Sequence, residues 1–149
     1  MAIAESTVLD ALRGVHDPEL HQDLVTLGMV ESVAIDGDTI LVGALKDDDN
    51  GGSSGSAYVF EWTGSSWVQA QKLTASNGTN GDAFGEAVDV HRNLILVGAG
   101  NDDALGVASG SAYLFQRNGS SWVEHRAYLA SDGEADDTFG SRAAVDCNT

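Results

Sequence analysis

Two short runs carry the oxygen-rich side chains with which this sequence could hold a cation: Asp47-Asp48-Asp49-Asn50 and Asn101-Asp102-Asp103. A hard cation such as calcium takes about six to eight oxygens, and alternating acids supply them by pointing at one centre. The acids here are consecutive, so a solvated acidic loop accounts for the same residues, and the loops are candidate cation sites on composition alone. A third candidate is His16-Asp17-Pro18-Glu19-Leu20-His21. Its two histidines stand five apart, off any common helical face, and Pro18 interrupts a helix, so a surface loop is the plainer reading. Cys147 is the only cysteine. One thiol makes neither an intrachain disulfide nor a Cys-based metal site, and with no basic neighbour it reads as an inert terminal thiol. No Ser-His-Asp arrangement, Gly-rich phosphate loop or converging carboxylate pair is recognisable. The expectation is a chain that is not an enzyme, with weak hydrolysis in the acidic loops as the outlying alternative.

Charge narrows the partners. The 149 residues carry 23 acids and 7 bases, a net charge of −16. Such a field repels phosphate backbones and anionic lipid, so neither nucleic acid nor a membrane surface is expected as a partner. Met1 to Glu5 shows no basic segment followed by an apolar run, so no secretory signal is visible in this chain. Asn77-Gly78-Thr79 and Asn118-Gly119-Ser120 match the glycosylation pattern and are read as turns.

The elements that must position these loops repeat. Gly55-Ser56-Ala57-Tyr58-Val59-Phe60 returns 55 residues later as Gly110-Ser111-Ala112-Tyr113-Leu114-Phe115, Gly64-Ser65-Ser66-Trp67 as Gly119-Ser120-Ser121-Trp122, and Phe84-Gly85 as Phe139-Gly140. A fixed period of this size marks a stacked or radial architecture in which each unit buries its apolar face on the next. Period-two alternation with β-branched and aromatic residues predicts four strands per unit, at 31–36, 39–44, 56–62 and 66–73, then 86–91, 94–99, 111–117 and 121–129. Asp36-Gly37-Asp38 is the tight turn of the first hairpin. Residues repeated in register are core far more often than a stacking platform for sugars. Tyr58, Phe60 and Trp67 and their counterparts Tyr113, Phe115 and Trp122 are therefore expected to pack, with similar costs for losing either tryptophan. Residues 140–146 align with the start of a third unit.

The first 30 residues lie outside the period. Val8, Leu9, Ala11, Leu12 and Val15 form the apolar stripe of a short helix, with Ser6 or Thr7 as its cap and Asp17-Pro18 beyond its end. The organisation expected is a helical head over 1–30, then β-repeats over 31–85 and 86–140 and a partial one over 141–149. The fold class is mainly β: antiparallel four-stranded propeller-like blades, two plus a partial third, with a short N-terminal helix.

From Val33-Ala34-Ile35-Asp36-Gly37-Asp38 through Gly55-Ser56-Ala57-Tyr58-Val59-Phe60 to Phe84-Gly85, the repeats over about 31–149 resemble the FG-GAP repeat, the blade unit related to the integrin alpha-chain propeller. The resemblance implies adhesion or partner binding, usually outside the cell, and rarely catalysis. In integrin-type repeats a calcium loop joins the first two strands. Here Asp36-Gly37-Asp38 and His91-Arg92-Asn93 fill that place, too short for a full oxygen shell, which argues against calcium at that position. Val8-Leu9-Asp10-Ala11-Leu12, Asp17-Pro18-Glu19-Leu20 and Leu27-Gly28-Met29-Val30 make the segment over about 5–42 similar to a different family, the DPEL-motif iron-sulfur assembly domain. That family's cysteine motif is absent, so cluster handling does not carry over. The two resemblances overlap only in the Val33 to Asp38 hairpin, which reads as the seam of a chimera.

These readings predict a non-catalytic interaction or scaffold module. Its expected partners are itself, as a homo-oligomer through blade edges, and a protein or glycan. An accessory remnant of the iron-sulfur assembly domain that binds a protein is the alternative. No cofactor is expected, calcium in the acidic loops being the one candidate. Two units and a surplus strand leave edges open, and a ring of about six or eight blades would need three or four copies.

Overall fold

The computed structural model describes residues 3–14, 21–23, 25, 26, 28 and 30–146. Among the described residues one helix, α1 (Glu5–Leu12), precedes eight strands: β1 (Ser32–Asp36), β2 (Thr39–Ala44), β3 (Ser56–Trp62), β4 (Trp67–Leu73), β5 (Ala87–His91), β6 (Leu94–Ala99), β7 (Ser111–Asn118) and β8 (Ser121–Tyr128). They form two antiparallel four-stranded sheets, each in sequence order: sheet 1 is β1-β2-β3-β4 and sheet 2 is β5-β6-β7-β8. The expected strands are all present, with ends moved by a residue or less. The fold is mainly β.

The period extends to details that spacing alone does not predict. Ile40 pairs with Phe60 in sheet 1 and Ile95 with Phe115 in sheet 2, and a bulge falls between Val59 and Phe60 and again between Leu114 and Phe115. The first hairpin turns on Gly37 at φ +55°, and its counterpart on Arg92, also at +55°. A side chain is strained there. The Arg92 amide donates to the Asp36 carboxylate of the preceding repeat at 2.5 Å, which holds that turn and ties it to sheet 1.

The main core lies between the sheets. Leu41, Val59 and Leu73 of sheet 1 meet Val88, Val90, Ile95, Val97, Tyr113, Phe115 and Trp122 of sheet 2. Phe84, fully buried, enters between the layers from the linking segment, its ring edge-on to Tyr113 (5.4 Å between centroids) and Phe115 (6.1 Å). Polar straps cross the same junction. The Gln71 amide exchanges two 2.7 Å hydrogen bonds with the Trp122 backbone, Glu124 accepts from the Ser76 amide and hydroxyl, and Arg117 pairs with Glu61.

Two glycine contacts set the layer spacing. A Cβ on Gly43 would sit 2.0 Å from the Gly85 carbonyl oxygen, and one on Gly98 would sit 1.7 Å from that of Gly140. Consecutive repeats thus touch backbone to backbone.

The opposite face of sheet 1 is covered by the head. Val8 of α1, with Ile3, Leu12 and Val30, packs on Val33, Ile35, Ile40, Val42, Tyr58, Phe60 and Trp67. The helix starts earlier than expected. Ala4 is its N-cap and no side chain caps it, because Ser6 and Thr7 already lie within the first turn. Glu5 in that turn favours the positive end of the helix dipole. Val15 and the residues His16 to Leu20 lie outside the described residues.

Candidate interaction surface and acidic loops

In the loop before β3 the carboxylates are occupied by the protein itself. Asp47 Oδ2 accepts from Ser56 Oγ (2.7 Å), Tyr58 OH (2.5 Å) and Lys72 Nζ (2.9 Å), and Lys72 also pairs with Asp49. The Lys72 ammonium lies 5.1 Å from the centre of the Tyr58 ring. Burial alone would raise the Asp47 carboxyl, but the bonds from Tyr58, Ser56 and Lys72 outweigh it and hold the group below its ordinary range. Burial likewise works against the Lys72 charge, and Asp49, Asp47 and Tyr58 overcome it, so the ammonium titrates above its usual range. Asp48 accepts from the Ser53 amide at 2.7 Å, closing its own loop, and the Asn50 amide donates to Ser54 Oγ. The cation that the first acidic loop holds is a lysine of the same sheet.

The second loop keeps this framework without the lysine. Asp103 accepts from the Ala108 amide at 2.8 Å, as Asp48 does from Ser53. Asp102, the counterpart of Asp47, is 3% exposed and accepts from the Ala104 amide (2.8 Å) and Tyr113 OH (2.7 Å), and Asn77 Oδ1 lies 2.9 Å from the same hydroxyl. Ala127 stands where Lys72 would be and Ala104 where Asp49 would be. Burial, then Asp102, raises the Tyr113 hydroxyl. Asp82, buried near this loop, has its carboxyl raised by burial and further by Asp102 and Asp103, although the Thr79 amide and hydroxyl both donate to it. Among the described residues no three His, Cys, Asp or Glu side chains converge as metal ligands. Of the predicted loop residues, Asp47 and Asp49 converge on the Lys72 ammonium, while Asp48 and Asp103 each accept from an amide of their own loop. Of the His16 to His21 candidate, only His21 is described. Cys147 lies outside the described residues.

The second feature is an uncovered sheet face. Leu41, Val59 and Leu73 of sheet 1 are buried beneath sheet 2, whereas their counterparts Leu96, Leu114 and Tyr128 point away from sheet 1; Leu96 and Leu114 are half-buried and Tyr128 is 38% exposed. Phe139, the counterpart of fully buried Phe84, is also 38% exposed. Residues 140–146 touch this face. The Gly140 carbonyl rests on Gly98 and the Val145 amide donates to Asp89 at 2.7 Å. They take no strand conformation. The sequence signals that mark this face as open are Ala34 becoming Asp89 and Leu73 becoming Tyr128 between repeats. A groove of 340 Å³ at the end of the β7-β8 hairpin is lined by Gln116, Arg117, Asn118, Val123, Glu124 and His125, but its Arg117 and Glu124 already serve the junction with sheet 1. No described helix is long and apolar enough to cross a membrane.

A duplicated four-stranded meander joined by Phe-Gly segments defines a β-repeat protein in which each unit is packed by the next. The FG-GAP repeat model matches residues 31–60 and 67–115, over half of the chain, and the chain belongs to that family. Residues 5–43 match the model described as iron-sulfur cluster assembly protein. The two matches overlap only across β1, β2 and their turn. No curated protein matches the chain.

Proposed function

We propose that the chain is a non-catalytic protein-interaction module of propeller-blade type whose binding surface is the outer face of sheet 2, and that the partner seated there is a second copy. The observation that carries this is the contrast between Leu41, Val59, Leu73 and Phe84, all buried by the next sheet, and Leu96, Leu114, Tyr128 and Phe139, which have no sheet over them. An apolar face that its own repeat covers elsewhere is built to be covered. The head occupies the other end of the stack, so two copies meet through their sheet 2 faces in a two-fold pair. The non-catalytic reading is supported by the loop carboxylates, which are spent on their own loop amides, on Tyr58 and Tyr113, and on Lys72. Light scattering over a concentration series tests the proposal. The expected result is a monomer to dimer transition that strengthens with salt, as two chains of net charge −16 repel one another, and that Phe139→Asp abolishes. A monomer at every concentration and salt would overturn it.

A further inference from the structure

Four asparagines stand directly before a glycine: Asn50, Asn77, Asn80 and Asn118. This pair is prone to amide loss, because glycine has no side chain to keep its own backbone nitrogen from reaching the asparagine Cγ. A nitrogen whose proton is held in a hydrogen bond is less free to attack. Three of the four glycines are held in this way: the Gly51 amide donates to the Asp48 carbonyl (3.1 Å), Gly78 to Ala75 (3.1 Å) and Gly81 to Gly52 (2.9 Å). The Asn77 side chain is engaged as well, its Oδ1 accepting from Tyr113 OH at 2.9 Å. Asn118-Gly119 differs. It forms the tip of the β7-β8 hairpin, where Asn118 pairs with Ser121 and both Asn118 and Gly119 are exposed. No acceptor among the described residues takes the Gly119 amide. A Cβ at Gly119 would meet nothing within 4 Å, so a ring has room to close there.

We infer that Asn118-Gly119 is a self-modification site, at which the chain's own Gly119 nitrogen converts the Asn118 amide to a carboxylate with water as co-reactant. The Gly119 nitrogen bonds to Asn118 Cγ, the Cγ–Nδ2 bond breaks, and the amide nitrogen takes the displaced proton and leaves as ammonia. A cyclic imide remains. Water then adds to one of its carbonyls. Opening at Cγ restores the ordinary backbone as aspartate, and opening at the Asn118 main-chain carbonyl carries the backbone through the side chain as isoaspartate. No oxidant or reductant enters, and the reaction needs neither a partner nor the outer face of sheet 2. Either product adds a negative charge beside Arg117, whose Nε donates to the Gly119 carbonyl at 3.3 Å and whose guanidinium pairs with Glu61 of sheet 1. Isoaspartate also lengthens the backbone at the tip by a methylene, which disturbs the Asn118 to Ser121 pairing and the Arg117 strap with it. The first repeat lacks the site, because Thr63 stands before Gly64 at the same turn.

The test incubates the full chain in mildly alkaline buffer, folded and in urea, and follows all four sites by mass spectrometry of tryptic peptides. In the folded chain Asn118 should react first. Its rate should exceed that of each other site by about fivefold or more, the factor to which one amide hydrogen bond of about 1 kcal/mol converts. In urea the four rates should draw together. Anion exchange should resolve a folded species of greater negative charge, and Asn118→Thr, which copies Thr63 of the first repeat, should remove that species and leave the melting temperature unchanged. If Asn50, Asn77 or Asn80 reacts as fast as Asn118 in the folded chain, or if the charged species persists in Asn118→Thr, the free Gly119 amide does not select the site. If Asn118 leads as strongly in urea as in the folded chain, local sequence selects it and the fold does not. Either result overturns the inference.

Discussion

Sheet 1 buries both of its faces and sheet 2 buries one, although the two share strand register, bulge position and turn geometry. In sheet 1 every residue of β2 is buried, while in sheet 2 the matching β6 alternates along its first half, with Leu94 and Leu96 only half-buried. The repeat thus specifies a backbone and leaves burial to context. Equivalent residues are not energetically equivalent, and the same substitution made in both repeats measures the surroundings rather than the residue.

The largest expected effect is at the linking phenylalanines. Phe84→Ala should cost about 3–5 kcal/mol, the range for a large core truncation, whereas Phe139→Ala should stay within about 1 kcal/mol, as for a surface site. Chemical unfolding of the two variants decides this, and equal costs would show that residues 140–146 already bury Phe139. The tryptophans give a smaller contrast. Trp122 is 2% exposed, so Trp122→Ala should cost about 3–5 kcal/mol. Trp67, half-buried under the head and beside the exposed Trp62 (centroids 5.5 Å apart), should cost about half of that. Sequence equivalence had pointed to similar costs, and a Trp67→Ala loss as large as that of Trp122→Ala would mean that the head packs as firmly as a sheet.

Lys72→Met comes next. It leaves Asp47 and Asp49 without their cation and should destabilise by about 1–2 kcal/mol, partial exposure of the pair reducing the full buried value. Asp47 titrates below its ordinary 3.8 in the folded chain, so its contribution is complete above that value and is lost as pH falls through the lowered one. Lys72 titrates above its ordinary 10.5, so its contribution is complete below 10.5 and is lost as pH rises through the raised value. The cost of Lys72→Met should therefore be flat between those limits and shrink outside them, and unfolding at pH 7 and pH 2 checks it. A cost unchanged at pH 2 would show that the lysine stem, and not its charge, is what matters. The smallest effect is at Asp82. Burial raises its carboxyl, so folding gains stability as pH falls through the raised value. Asp82→Asn should be more favourable relative to the parent at neutral pH than in acid, by less than about 1 kcal/mol. The reverse trend would mean that the Thr79 bonds outweigh desolvation.

The strands were legible in the sequence because alternation and turn residues agree in both copies, and the 55-residue period confirms each from the other. What lies over each face was not. Period-two alternation sorts Ile40 and Val42 from Leu41 but carries no information on which layer covers them. The helix start was misplaced because Ser6 and Thr7 suit a cap by type, while only geometry shows that Ala4 holds that position. The Asp47–Lys72 contact joins a loop to a strand 25 residues away, beyond any local spacing rule. One signal was available: from the first repeat to the second, Lys72 becomes Ala127 and Asp49 becomes Ala104, and the paired loss of a base and an acid marks a contact.

The glycine contacts that set the spacing of the sheets have a consequence for how such chains can be rebuilt. At Gly43 with Gly85, and at Gly98 with Gly140, main chain meets main chain, so any side chain at Gly43 or Gly98 would force the layers apart. Loops and exposed faces can therefore diverge, as Lys72 and Ala127 have, while the step from layer to layer stays constant. On the head side the position of Gly85 is taken by Val30, and contact there is made by Ile3, Val8 and Leu12, whose fit can be renegotiated one side chain at a time. The head is thus the exchangeable part of this molecule, which is the place where a segment of different ancestry could be grafted without disturbing the layers behind it.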